Sequence, residues 1–181
     1  SLPATKRDMV VRLLEFPERV VEFDGTSLSW SDVRYPGVWG PSIDTVIFAK
    51  ALKKLFTRTA YLKSVKSLLE IGCGSGFLTK YILKKKKSAG GDMEYAHLMD
   101  INQDALLCSM DNLKEVQGRT LISYTLNQAK KPISIIHPYD LIICNPPYIP
   151  KPHQNPKNPF EGLFLYKEIF RLAPVMLHSN S

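Results

Sequence analysis

The sequence predicts an α/β fold: parallel strands flanked by helices, entered through an N-terminal helix and a β-hairpin. Three observations carry that expectation. From Val65 onward, short apolar runs alternate with helical stretches, and strands that alternate with helices pair in parallel through right-handed crossovers. Gly72, Gly74 and Gly76 cluster where the first apolar run gives way to a helical pattern. Asp24-Gly25 separates two alternating runs, a strong hairpin signal.

Each element follows in order. Met9, Val10, Leu13 and Leu14 recur at helical spacing until Pro17 breaks the pattern. Val21 and Phe23 alternate into the Asp24-Gly25 turn, and Leu28 and Trp30 alternate out of it. Ser42 can cap a helix whose apolar face includes Val46, Ile47, Leu52, Leu55 and Phe56, with Asp44 in the favourable first turn. Strands are expected at 65–71, 95–99, 121–126 and 141–144, with helices at 77–83, about 103–113 and 161–177. Residues 1–40 read as an N-terminal extension and residues 41–181 as the main domain. The proline-rich loop from Pro146 to Pro159 cannot be regular structure.

Composition narrows the class. With 44% apolar residues and a moderate charged fraction over 181 residues, the chain is globular. No run is long enough to span a membrane, and the N-terminus lacks the layout of a signal peptide. Cys73, Cys108 and Cys144 form no metal-type pair and read as reduced thiols, so a cytoplasmic or otherwise intracellular location is expected. None of the histidines has ligand spacing to another, so no metal site is expected. The net charge of +7 invites a nucleic-acid reading, but much of the excess is the run Lys84 to Lys87. Cations at a helix C-terminus are favoured by the macrodipole, and a solvated helix end accounts for them.

The glycine loop carries chemistry. Glu70-Ile71-Gly72-Cys73-Gly74-Ser75-Gly76 leaves a strand and enters a helix, and glycines there let a ligand approach the main chain. Asp100 ends the next strand, where its carboxylate can accept both hydroxyls of a ribose. Glu70 stands two residues before the first glycine. An anion there suits a cationic amino-acid moiety better than a pyrophosphate.

The stretch from Tyr139 to Tyr148 is the most specific one. An apolar strand ends in Asn145, then Pro146, Pro147 and Tyr148, and ligands of an open α/β sheet bind beyond the carboxyl ends of the strands. An amide or exocyclic amine is a poor nucleophile because its lone pair is delocalised. The Asn145 side-chain oxygen and the Pro146 carbonyl would hold its N–H groups for in-line attack and stabilise the developing positive charge. Proline fixes the carbonyl direction, and Tyr148 offers a flat face for a planar acceptor.

The run Leu69-Glu70-Ile71-Gly72-Cys73-Gly74-Ser75-Gly76 resembles the first motif of Rossmann-like class I methyltransferases. That resemblance implies S-adenosylmethionine as cofactor, with Glu70, Gly72, Gly74, Gly76, Asp100 and Asn145 around it. Asn145-Pro146-Pro147-Tyr148 resembles the motif of the amino-methyltransferases, which act on adenine-N6, cytosine-N4, guanine-N2 or glutamine-N5. Tyr148-Ile149-Pro150, Glu161 to Tyr166, and Trp39 to Thr45 are similar to segments of the release-factor glutamine-N5 methyltransferases. Where that family has an acid against the adenine, this chain has Asn127-Gln128, which gives the contact to Asn127. The family also continues into further strands beyond the position of Ser181, so a C-terminally truncated sheet is expected. Tyr35 and Trp39 read as hairpin packing rather than as an acceptor entrance. Three functions stay open: methylation of a protein glutamine, with a peptide release factor as partner; methylation of a base amine in RNA or DNA; and a non-catalytic scaffold. The intact set of Glu70, Asp100, Asn145 and Tyr148 argues against the scaffold.

Overall fold

The computed structural model describes residues 18–58, 61–127, 133, 137–145 and 164–178. The expected helix around Met9 to Leu14 and the loop 146–163 lie outside these residues. Among the described residues, β1 (Arg19–Phe23) and β2 (Thr26–Trp30) form the hairpin, followed by α1 (Ile43–Arg58) and the short α2 (Tyr61–Ser64). Then come β3 (Ser67–Ile71), α3 (Phe77–Ser88), β4 (Tyr95–Asp100), α4 (Gln103–Leu113), β5 (Leu121–Leu126), β6 (Leu141–Cys144) and α5 (Phe164–Met176).

The hairpin pairs antiparallel with Phe23 opposite Thr26, and both turn residues have positive φ, 51° at Asp24 and 75° at Gly25. That is the turn whose twist matches the flanking strands, and Gly25 takes its φ at no steric cost. Alternation then sends Leu28 into the core beside Leu52 of α1, Leu68 of β3 and Tyr81 of α3.

The lysine run behaves differently from a solvated helix end. Lysines are good helix formers, so α3 continues through them to Ser88 instead of ending near Leu83. Lys84 then donates to the Gly25 carbonyl (2.9 Å), and Lys85 pairs with the Asp24 carboxylate (2.7 Å). Lys86 is buried and donates to the carbonyls of Leu62 and Lys63 that end α2, at 2.7 Å each. Asp24 also takes Lys53 and the Tyr81 hydroxyl. The Lys53 and Lys85 bonds hold its carboxyl down at about 2.

The main sheet has the order β5-β4-β3-β6 with every pair parallel. Its centre, β3, is buried at every position, as expected of a strand covered on both faces. Period-two alternation divides its side chains. Leu68 faces the core under α1 and α3, while Leu69 and Ile71 face a second cluster with Met99, Tyr139 and Met176. On α5, Leu165, Ile169, Leu172 and Met176 recur at helical spacing and cover that second face. β3 starts at Ser67 rather than Val65 because Asp140 caps its entry. The carboxylate accepts the amides of Lys66 (2.7 Å) and Ser67 (2.8 Å). Burial pushes the Asp140 carboxyl up, and these hydrogen bonds outweigh it and hold it below its ordinary value.

β6 lies at one end of the sheet, and Leu177 after α5 makes a parallel bridge to Tyr139 just ahead of it. Tyr139 donates to the Met176 carbonyl (2.7 Å), and His178 donates to the Tyr139 carbonyl (3.0 Å). No helix among the described residues is long and apolar enough to cross a membrane.

Candidate functional site

The loops after β3, β4, β5 and β6 leave the same edge of the sheet, because parallel strands all point one way. Gly72 and Cys73 donate their amides to the Met99 carbonyl (2.8 and 3.1 Å), which ties the glycine loop to the end of β4. A Cβ at Gly72 would meet nothing within 4 Å, so this position opens onto free space. At Gly76, the N-cap of α3 with φ 82°, a Cβ would lie 2.8 Å from that of Ser109. Gly76 thus lets α3 start against α4, a steric role, while Gly72 leaves room for a ligand.

Asp100 is engaged at both oxygens. Oδ2 accepts the Gly74 amide and Oδ1 accepts the Asn102 amide, each at 2.9 Å. A carboxylate has about four acceptor sites, so a diol can still be received. Asn127 follows β5 at the same edge, its amide donating to the Asp100 carbonyl (2.8 Å) and its side chain half-buried.

Glu70, read from the sequence as an anion beside the ligand, is held beneath α3. It shares the face of Leu68, so its carboxyl reaches under α3 and accepts the amide and hydroxyl of Thr79. Only 3% of the residue is exposed, and burial pushes the carboxyl up to about 8. It caps the first turn of α3 from outside the helix.

At the end of β6, Asn145 is half-buried and its Nδ2 donates to the Thr45 hydroxyl at 3.2 Å. That bond directs the amide nitrogen toward α1 and leaves Oδ1 as the atom turned the other way. Pro146 and Tyr148 lie outside the described residues. Burial pushes the adjacent Cys144 thiol up to about 12, so it is no nucleophile at neutral pH. The Cys73 thiol is likewise raised by burial. His97 is buried between the Tyr139 hydroxyl (2.7 Å) and the Thr125 hydroxyl (2.8 Å), and burial lowers it to about 4. It is a neutral structural histidine on the α5 side of the sheet. Among the described residues, no group of three His, Cys, Asp or Glu side chains could hold a metal ion.

Two features escaped the sequence. Thr45 was legible only as a residue near the start of a helix, because its partner stands 100 positions away. Trp39 also differs from hairpin packing, whereas Tyr35 lies in a cluster against which the hairpin's Trp30 packs. Trp30 packs the hairpin, its indole lying 1.9–2.4 Å from where Gly40 would carry a Cβ. Tyr35 is buried against α4, and Trp39 is 72% exposed, with its carbonyl 3.0 Å from where Gly74 would carry a Cβ.

Known proteins share much of this chain. A family model described as methyltransferase small domain matches residues 43–180. The release factor glutamine methyltransferase of Fusobacterium nucleatum is 28% identical over 169 residues, which is 84% of this chain and 43% of that protein. An uncharacterised protein of Mycoplasma genitalium is 27% identical over 150 residues, covering 75% of this chain and 29% of its own length. The chain therefore spans less than half the length of these curated relatives. A solved structure of a putative S-adenosylmethionine-dependent methyltransferase from Methanococcus maripaludis aligns with a TM-score of 0.46 at 19% identity, over 74% of this chain and 50% of that one.

Proposed function

Because the chain belongs to the methyltransferase small domain family, we propose that it methylates a planar amide nitrogen, the side chain of a glutamine in a protein of the release-factor type. S-adenosylmethionine is the cofactor of the domain, and when bound it supplies an electrophilic methyl group on a sulfonium. The residues present fit it: Gly72 opens onto free space, Asp100 is aimed by two amides at the same edge, and Asn127 stands beside them. In this reading Gly72, Gly74, Asp100 and Asn127 hold the cofactor and Gly76 shapes the loop. Glu70 acts through Thr79 by fixing the start of α3.

The observation that carries the acceptor reading is Asn145, placed at the carboxyl end of β6 with its amide oriented by Thr45. Oδ1 accepts one N–H of the substrate amide, and the Pro146 carbonyl accepts the other. Charge that develops on nitrogen is then met by two acceptors. The proton leaves to solvent after the transfer, so no strong base is needed at the site, and neither buried thiol nor His97 supplies one. Lys53 and Lys85 pair with Asp24, and Lys84 and Lys86 donate to backbone carbonyls, so these four ammonium groups are directed into the chain rather than held out for a phosphate backbone. This supports a protein acceptor over a base amine in RNA or DNA.

The test is single-turnover kinetics of Asn145→Ala. Methyl transfer should fall by roughly a hundredfold or more, while affinity for S-adenosylhomocysteine stays nearly unchanged. Near-normal turnover in that variant rules out the amide clamp.

A further inference from the structure

Between β2 and α1 the chain crosses the glycine loop as a strap of irregular structure, residues 31–40. We infer that this strap is a wall of the cofactor crevice and that Asp111, on α4 outside the crevice, is the positioning residue that fastens it.

The strap has a defined shape. Tyr35 donates to the Ser31 carbonyl (2.8 Å), Arg34 donates its amide to the Ser31 hydroxyl (3.3 Å), and Val38 donates to the Tyr35 carbonyl (3.3 Å). Its middle is anchored to α4. Tyr35 and Val38 are buried against Ala105 and Cys108. The Asp111 Oδ2 atom accepts both the Tyr35 hydroxyl and the Arg34 guanidinium, the latter at 2.8 Å, and the guanidinium lies over the Tyr35 ring. Lys114 holds the other carboxylate oxygen at 2.6 Å. Charge-assisted bonds of this kind are the strong ones.

The far end of the strap bears on the crevice. Asn102 donates its side-chain amide to the Pro36 carbonyl (3.4 Å), and the Trp39 carbonyl lies only 3.0 Å from where Gly74, with φ 52°, would carry a Cβ. Gly74 and Asn102 are the two residues whose backbone amides aim Asp100. The strap therefore lies against both supports of the carboxylate assigned to the ribose. Asp111 fixes where the strap lies without touching the ligand.

The inference rests on cofactor placement at the glycine loop, and the experiment separates the two. Binding and dissociation of S-adenosylhomocysteine are followed by stopped flow for the wild-type chain, Asp111→Ala and Tyr35→Phe, with circular dichroism and the melting temperature of each ligand-free protein. Tyr35→Phe removes only a hydroxyl and keeps the ring packing, so it stays folded if Asp111→Ala does not. Expected is a dissociation rate raised about tenfold in Asp111→Ala and severalfold in Tyr35→Phe. The association rate and the ligand-free fold should hardly change, and Asp111→Glu should recover much of the loss. In turnover, KM for S-adenosylmethionine should rise while kcat holds. A wild type that binds, together with a folded Tyr35→Phe and a folded Asp111→Ala that release ligand at the wild-type rate, overturns the strap alone. So does a loss of affinity that appears only where Asp111→Ala has lost its fold. A wild type that fails to bind S-adenosylhomocysteine overturns the cofactor placement and the strap with it.

Discussion

The cofactor side and the acceptor side of the site are held in different ways. Around the glycine loop, the polar groups close on one another within a buried strand-helix unit: Glu70 on Thr79, Asp100 on Gly74 and Asn102, and Gly72 on Met99. At the end of β6, Asn145 is oriented by a long-range bond to Thr45 on α1. The first arrangement is set largely by backbone amides of neighbouring elements and is preorganised by the fold. The second depends on a side chain reaching across the molecule. Cofactor binding should therefore tolerate changes on α1 that methyl transfer does not.

Asp100→Ala offers the largest effect on the cofactor side. It removes a charged acceptor and also frees the Gly74 and Asn102 amides, so affinity for S-adenosylhomocysteine should drop by about 1.5–3 kcal/mol in calorimetry. Unchanged affinity would take Asp100 out of the ribose role. Thr45→Val should act on the other side. Loss of one neutral hydrogen bond is worth about 1 kcal/mol, so kcat should fall roughly fivefold with cofactor affinity intact, and Thr45→Ser should restore it. A Thr45→Val variant that loses cofactor affinity instead would dissolve the distinction between the two sides.

A third test is a pH dependence of stability. Glu70 has an ordinary value of 4.5 and is raised by burial to about 8. Between these values the unfolded chain binds fewer protons at Glu70 than the folded one, so this group lowers stability as pH rises from 4.5 to 8. His97 slopes the other way: its depression from 6.5 to about 4 removes stability as pH falls through that window. The contrast of wild type with Glu70→Gln isolates the first group. The variant should gain stability relative to wild type between pH 5 and pH 8 in denaturant titrations. A difference that does not change with pH would mean Glu70 is ionised in the folded protein, as the sequence reading had it.

The sheet was legible because its signals are local. The Asp24-Gly25 turn, the apolar runs of β5 and β6, and the helical stretch of α4 each announce themselves within a few residues, and their bounds agree closely with the structure. The glycine cluster was legible for the same reason. What stayed hidden depends on pairs distant in sequence. Glu70 reads as an anion beside the ligand until the alternation of β3 is joined to the position of Thr79 on α3. The run Lys84 to Lys86 looks solvated until the hairpin turn and the end of α2 are placed beside it. Asp111 and Thr45 gave no local sign, since their partners stand 76 and 100 residues away.

The most direct test of the acceptor is a transfer of labelled methyl from S-adenosylmethionine to a peptide release factor and, in parallel, to total RNA, with the site of modification read by mass spectrometry. The account predicts label in the protein, on a glutamine side-chain nitrogen, lost in Asn145→Ala and weakly dependent on salt. Label confined to RNA, with steep salt sensitivity, would contradict it and assign the Asn145 clamp to a base amine instead.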